Sequence, residues 1–590
     1  MVSRFVSMAL AFALAATVSF AAGESDSAGA AAAADKKYVT DPTNGKVYTA
    51  PEYGGTLTYG ASWEPPNSDA MIGGIGAGSA ASGVVEKLGI ANWGIDRSVN
   101  NLANEFLLED HFAPALAESW DIPDPSTYIF HIRQGVRWHD KAPMNGRELT
   151  AEDVVYNIER WRTSDQNTRY PAMSWESVTA TDKYTVEVKL VDPPLDALLV
   201  LIDDNIGFVN APEVIEQHGD VADWRNLVGT GPFMLTDWVD GSSMTWVKNP
   251  DYWGHDEKYP ENRLPYVDEL VRLIMPDQAT RISAMRTGQI DYLAHNSNGR
   301  FATVDPVDSL QRTNPELRVN AFYFTAGESA AFNVTKPPFD DIRVRHAIQM
   351  AVDLDTINNT YYKGWLRPEP MGSFQPFTGN AIPYAEWPEE VKQYYRYDPE
   401  AAEKLLDEAG YPRGADGIRF TISDIYRHAT STGYREIVQG YLAEIGVQTE
   451  IRQQDWSTMH ANFKGGKGEY DGITNWGGQG TPWRPLVVLN AHTSGHANNA
   501  SGLSDPEYDA LFEALKVAAT AEEHQRLARE ADYWLVKNHI FMWGGLRPFF
   551  NVTQPWLQGF DGDYYMGVWN KNAVFARLWI DQALKREMGG

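Results

Sequence analysis

The sequence predicts a multidomain α/β protein. Three observations carry this. Segments of period-two alternation and segments with helix start signals follow one another along the whole chain. The 590 residues, at roughly 100–200 per domain, allow three or four domains. No tandem repeat of 20–50 residues is present, which argues against a solenoid.

The elements read as follows. Gly55–Gly60 alternates and predicts a strand, as do Tyr128–Arg133 and Tyr184–Leu190. Gly73-Gly-Ile-Gly-Ala-Gly78 lacks dinucleotide-binding spacing and a preceding strand, and reads as a mobile loop. Thr150-Ala-Glu-Asp153 is close to a capping box and opens a helix to about Trp161. Gly231–Trp238 and Ser243–Lys248 form a hairpin around Asp240-Gly241. Asp398-Pro399 sets a capping carboxylate before a proline at the first helical position, and Gly410 stops that helix. Thr520-Ala-Glu-Glu523 reads as a capping box.

Composition removes several function classes. Asp plus Glu total 79 against 50 Lys plus Arg, a net charge of −29, so a nucleic-acid partner would be bound against the protein's own field. There is no cysteine, which excludes disulfides, thiolate metal sites, cysteine catalysis and a lipid-bearing cysteine. At the amino terminus, Arg4 precedes the apolar run Val6–Phe20, and Ser19-Phe20-Ala21 offers a cleavage site. Residues 1–21 therefore read as a signal peptide. A membrane anchor is the alternative, but the run falls short of the roughly 20 residues a span needs. Residues 22–51 begin with an Ala, Gly and Ser-rich stretch and read as a flexible tether. The expectation is a soluble, exported protein of the periplasm with no lipid anchor.

Several segments in fixed order resemble one family. They are Pro114–Trp120, Tyr128–Asp140, Leu149–Tyr156, Gly229–Phe233, Asn249–Trp253, Gly288–Asp291, Pro338–Ile348, Tyr397–Leu406 and Leu442–Gly446. Together they are similar to the extracellular solute-binding proteins of family 5, the dipeptide and oligopeptide-binding kind that serve ABC importers. The resemblance implies a two-lobed periplasmic-binding-protein fold with an extra insert domain in the first lobe and two inter-lobe crossings. The first lobe is expected at 52–95, 223–319 and 553–590, the insert at 96–222 and the second lobe at 320–552. The crossings then fall near Asn320 and Asn551. Phe130, Ile132, Val136 and Trp138 read as core, His139 as a hydrogen-bonded packing residue, and Arg345 and His346 as scaffold.

The resemblance also implies a ligand pocket. Family members open it with a Trp in the second lobe, matched by Trp476. Three residues later the family's Asp holds a peptide's α-ammonium, and Gln479 stands there instead. Three residues before the Trp, oligopeptide binders often carry an Arg for a carboxylate, and Ile473 stands there. Trp456 matches another pocket aromatic. Trp63, Trp483 and Asn475 complete the candidate set, with Asn67 and Asp69 as further hydroxyl partners. A neutral amide cannot neutralise a buried ammonium. With 20 Trp in the chain, about twice the ordinary share, these departures also suit an oligosaccharide stacked on indole faces. Glycines at 465–466 and 477–480 suit either close backbone approach to a ligand or a plain surface loop.

Enzyme readings find little support. Gly-x-Ser-x-Gly, Walker A and His-Glu-x-x-His motifs are missing from the sequence, and 79 carboxylates single out no glycosidase pair. His492 and His496 are spaced for a metal on a helix, but Thr-Ser-Gly between them reads as a loop. The expectation is therefore a receptor without cofactor or metal that does no chemistry and is monomeric. It captures a peptide or an oligosaccharide by lobe closure and delivers it to an ABC permease with ATPase subunits. A secreted hydrolase is the alternative of another class.

Overall fold

The computed structural model describes residues 38–40, 47–96, 111–163, 174–191, 193, 195–203, 207–293, 299–323, 328–426, 432–454, 458–459, 470–475, 484–560, 562 and 572–590. The signal-peptide expectation and most of the tether lie outside them. No helix among the described residues is long and apolar enough to cross a membrane.

Two sheets organise the molecule. The larger has seven strands in the order Phe233–Val239, Ser243–Lys248, Glu269–Ile274, Thr56–Ala61, Tyr292–Leu293, Phe549–Thr553, Arg318–Phe322. Glu269–Ile274, Thr56–Ala61 and Tyr292–Leu293 run parallel, and Phe549–Thr553 runs against its neighbours. The smaller sheet has five strands in the order Val447–Gln453, Phe420–Tyr426, Gly472–Thr474, Ala330–Phe332, Phe541–Met542. Its first three strands are parallel, and Ala330–Phe332 is antiparallel to both neighbours.

The chain passes between the sheets twice, through 323–329 and 543–548. Asn320 and Asn551 are direct register partners in the larger sheet, a few residues short of these passages. Both passages leave or enter each sheet at the edge where its parallel strands end. The carboxyl ends of the two parallel sets therefore face each other across the connections, the place where open α/β sheets bind ligands.

A separate four-stranded antiparallel sheet, Ala117–Asp124, Thr127–Ile132, Thr185–Val191 and Ser174–Asp182, is formed by the chain that follows the larger sheet's first strand and precedes its others. Its inward residues Phe130, Val186 and Val188 are fully buried. They meet the helix Ala151–Arg162, which buries Val154, Ile158 and Trp161. Asp153 accepts the Thr150 N–H at 2.9 Å, so an Asp completes the cap where Glu is usual. Thr520 caps Ala521–Lys537 by accepting the Glu523 N–H.

The signature residues are mostly structural. His139 is buried, with Nε2 3.0 Å from the Gly231 carbonyl and Nδ1 accepting the Gly229 N–H at 3.4 Å. Burial pushes the imidazole down to about 4, so it stays neutral and serves both contacts. Gly229 is required there, because a Cβ would sit 1.8 Å from the Val84 carbonyl oxygen. Arg345 spends its donors on the carbonyls of Phe339, Asn538 and His539, and His346 stacks on Tyr394 with centroids 3.6 Å apart.

One local expectation is overturned. Gly73–Gly78 is not a loop but part of a helix, Ala70–Ala81. Its Gly, Ala and Ser content gives no polar face to read, and Ala77, Ala80 and Ala81 pack with almost no exposed surface. Asp69 starts the helix by accepting the Met71 N–H at 2.9 Å.

Candidate functional site

The site builds from the two facing strand ends. On the larger sheet, the chain leaves Thr56–Ala61 and reaches Trp63 two residues later. The Trp63 carbonyl accepts from Arg272 Nη2 at 2.6 Å, and the guanidinium lies 5.3 Å from the indole centroid. Arg272 is itself buried within the adjacent parallel strand. Trp63 is thus a half-buried plate held at the sheet's carboxyl edge.

Asn67 and Asp69, expected to meet a ligand's hydroxyls, are engaged elsewhere. Asn67 Oδ1 accepts the Asp69 N–H at 2.9 Å. Asp69 is fully buried; besides capping its helix it accepts from Val221 N at 3.1 Å and from Arg160 at 2.5 Å. This carboxylate ties the helix to its surroundings and has nothing to offer a ligand.

On the smaller sheet, Gly472–Thr474 lies between Phe420–Tyr426 and Ala330–Phe332. Asn475 follows directly; its N–H donates to the Ile425 carbonyl at 2.9 Å and its amide to the Ser329 carbonyl at 3.3 Å. This fixes where the chain leaves the sheet. Trp456, Trp476, Gln479 and Trp483 lie outside the described residues, as do the glycines at 465–466 and 477–480. Ile473 is fully buried, in register with Phe332 and Asp424, and belongs to the core.

A charged cluster stands behind this edge, and sequence reading missed it. Glu328, on the first passage, accepts from Tyr362 Oη at 2.9 Å and from Arg547, on the second passage, at 3.1 Å. Arg435 donates to the Glu328 carbonyl at 3.1 Å and lies 3.5 Å from the Asp424 carboxylate. Glu328, Asp424 and Arg435 are each at most 1% exposed. Burial raises the Asp424 pKa, with Arg435 opposing; the Arg435 pKa is raised by its carboxylates although burial opposes this. The signal was available. Asp424 interrupts the run Phe-Thr-Ile-Ser-Asp-Ile-Tyr, and Arg435 shares a helix face with Val438 and Leu442.

The two passages are also joined through their backbones. The Glu328 N–H donates to the Gly545 carbonyl, and Leu546 of the second passage exchanges two hydrogen bonds with Arg367, which lies outside both passages. Gly544 lets them approach, since a Cβ there would sit 2.3 Å from the Glu328 carbonyl oxygen. Phe322 and Phe549, one step further, pair with each other in the larger sheet. Two short connections that meet at Glu328 and Gly545 permit a rotation between the sheets with few changed dihedrals.

His492 meets the Phe541 ring edge-on, with centroids 5.0 Å apart, and burial pushes its imidazole down to about 3. Among the described residues no group of three or more His, Asp or Glu side chains is placed to hold a metal.

The model of "Bacterial extracellular solute-binding proteins, family 5 Middle" matches residues 111–499. Heme-binding protein A of Haemophilus influenzae is 29% identical over 451 residues, covering 71% of this chain and 76% of that one. Periplasmic oligopeptide-binding protein OppA of Salmonella typhimurium is 26% identical over 493 residues, covering 77% and 83%. The structure of DppA from Helicobacter pylori in complex with the peptide STSA superposes with a TM-score of 0.66 at 22% identity, covering 90% of this chain and 99% of that one. The fold is that of a two-lobed periplasmic binding protein, and these relatives are named as binding proteins. With the match spanning well over half of its length, the chain belongs to the bacterial extracellular solute-binding proteins of family 5.

Proposed function

We propose that this protein is the periplasmic solute-binding component of an ABC importer. It takes up a peptide or similar oligomeric solute by lobe closure and hands it unaltered to the permease and its ATPase subunits. The observation that carries this is the pair of sheets with facing carboxyl ends, joined by two adjacent connections, in a chain of a solute-binding family. Solute bound to one lobe offers contacts that the other lobe makes only when closed, so binding shifts the population toward the closed form. The peptide class rests on relatives such as the Salmonella OppA and on the Helicobacter DppA complex. Trp476, Gln479, Trp456, Trp63, Trp483 and Asn475 are the proposed ligand contacts.

A second reading, an oligosaccharide receptor of the same fold, is favoured by one observation. Ile473 is a core residue, so no cation for a peptide carboxylate stands at that place, and Gln479 brings no charge for an ammonium. A thermal-shift panel separates the two. Ligand at 100 times its dissociation constant adds about 2.7 kcal/mol of stability, a readily measured shift. Di- to pentapeptides are expected to raise the melting temperature. A panel in which only oligosaccharides do so replaces the peptide reading with the second one; turnover of any panel member would support a hydrolase instead.

A further inference from the structure

The described structure contains a contact between two segments far apart in the chain. Arg484 precedes the helix Pro485–Asn490 of the second lobe. Its Nη2 donates at 3.0 Å to the carbonyl of Leu199, 285 positions earlier. Leu199 lies in the helix Ala197–Asp203, which follows the four-stranded sheet of the insert layer. That helix is fixed to the first lobe's side: Lys87 is buried and donates to the Asp203 carbonyl at 2.8 Å, and Gly89 packs directly beneath Ile202. Beside it, His524 of the second lobe's long helix has its Nε2 buried with no hydrogen-bond partner among the described residues. The Asp196 carboxylate, at the foot of the Leu199 helix, lies within electrostatic reach of that imidazole.

We infer that Arg484 is a positioning residue for closure: its bond to the Leu199 carbonyl latches the second lobe onto the insert layer, so that the insert forms part of the clamp's lip. The inference deepens the solute-binding reading and rests on its lobe closure. The acceptor is a main-chain oxygen, so no side-chain change on the insert removes it. Opening the lobes takes Arg484 away from that oxygen, which is then left to water. A hydrogen bond with one charged partner then biases closure by about tenfold.

The absence of cysteine allows a clean distance measurement. Val191, 49% exposed on the insert sheet, and Val517, 74% exposed on the second lobe, take spin labels after substitution to Cys. Unfolding, dialysis and refolding first remove any solute carried through purification. In ligand-free protein the wild-type residue at 484 is expected to show a short-distance component, and Arg484→Ala to reduce it about tenfold with an unchanged circular dichroism spectrum. Arg484→Lys, which keeps one charged donor, restores part of it; a merely structural defect would not be rescued in this way, and this variant carries the test if the alanine variant does not fold. An undiminished short component in Arg484→Ala, or none in the wild type, overturns the inference. A separate arm adds a casein-digest peptide mixture. Distances that ignore it count against the peptide reading, while the ligand-free comparison still decides the latch.

Discussion

Replacing Arg435 by Leu should cost about 3–5 kcal/mol of stability, the usual penalty for removing one partner of a buried ion pair. Arg435 is fully buried and is the only cation within 4 Å of Asp424 among the described residues. Its loss strands a carboxylate at 1% exposure and removes a donor from the Glu328 carbonyl. Glu328 keeps Arg547 and Tyr362, so the larger part of the cost falls on Asp424. Urea unfolding at neutral pH measures it. The double replacement Arg435→Leu with Asp424→Leu should recover much of the loss, since the charge left without a partner is then gone. A single variant within 1 kcal/mol of the parent would show that the cluster is solvated and does not anchor the passages. The effect is expected to extend to closure, because Glu328 and Arg547 tie the two passages to each other and Arg435 ties the first of them to Asp424 in the smaller sheet.

The second large effect concerns the ligand. Trp476→Ala is expected to weaken binding about 100-fold or more, the range of an aromatic anchor at the centre of an interface. The structure supplies the geometry up to its neighbour: Asn475 is pinned to Ile425 and Ser329 at the carboxyl edge of the smaller sheet, so position 476 is the first beyond it. In the thermal-shift panel this loss should erase the ligand-induced shift while leaving the ligand-free melting temperature near the parent's. Trp63→Ala should have a smaller effect, because one face of that indole is already occupied by Arg272. A Trp476→Ala protein with unaltered affinity would remove this residue from the pocket.

Regular elements with explicit punctuation were legible in the sequence. The strand Thr185–Val191 alternates partly buried and buried positions from Thr185 to Leu190 as its residues alternate polar and apolar. The helix Pro399–Glu408 begins where Asp398 accepts the Ala401 N–H. Ala70–Ala81 was not legible, since a helix buried on most sides and built from small residues has no amphipathic period. At the site, Trp63 could be placed at a strand end from local order alone. Asp69 could not be judged, because its partners Arg160 and Val221 are 91 and 152 positions away. The Arg484 contact has the same character, as it joins residues 285 positions apart.

The two sheets are expected to rotate as lobes about the paired passages and to release their guest unaltered. Small-angle scattering before and after addition of a peptide that raises the melting temperature, with mass spectrometry of the released molecule, tests this most directly. A smaller radius of gyration on binding and recovery of the intact peptide are the predicted results. An unchanged scattering profile at saturating peptide would contradict lobe rotation, and a cleaved product would contradict release of an unaltered guest.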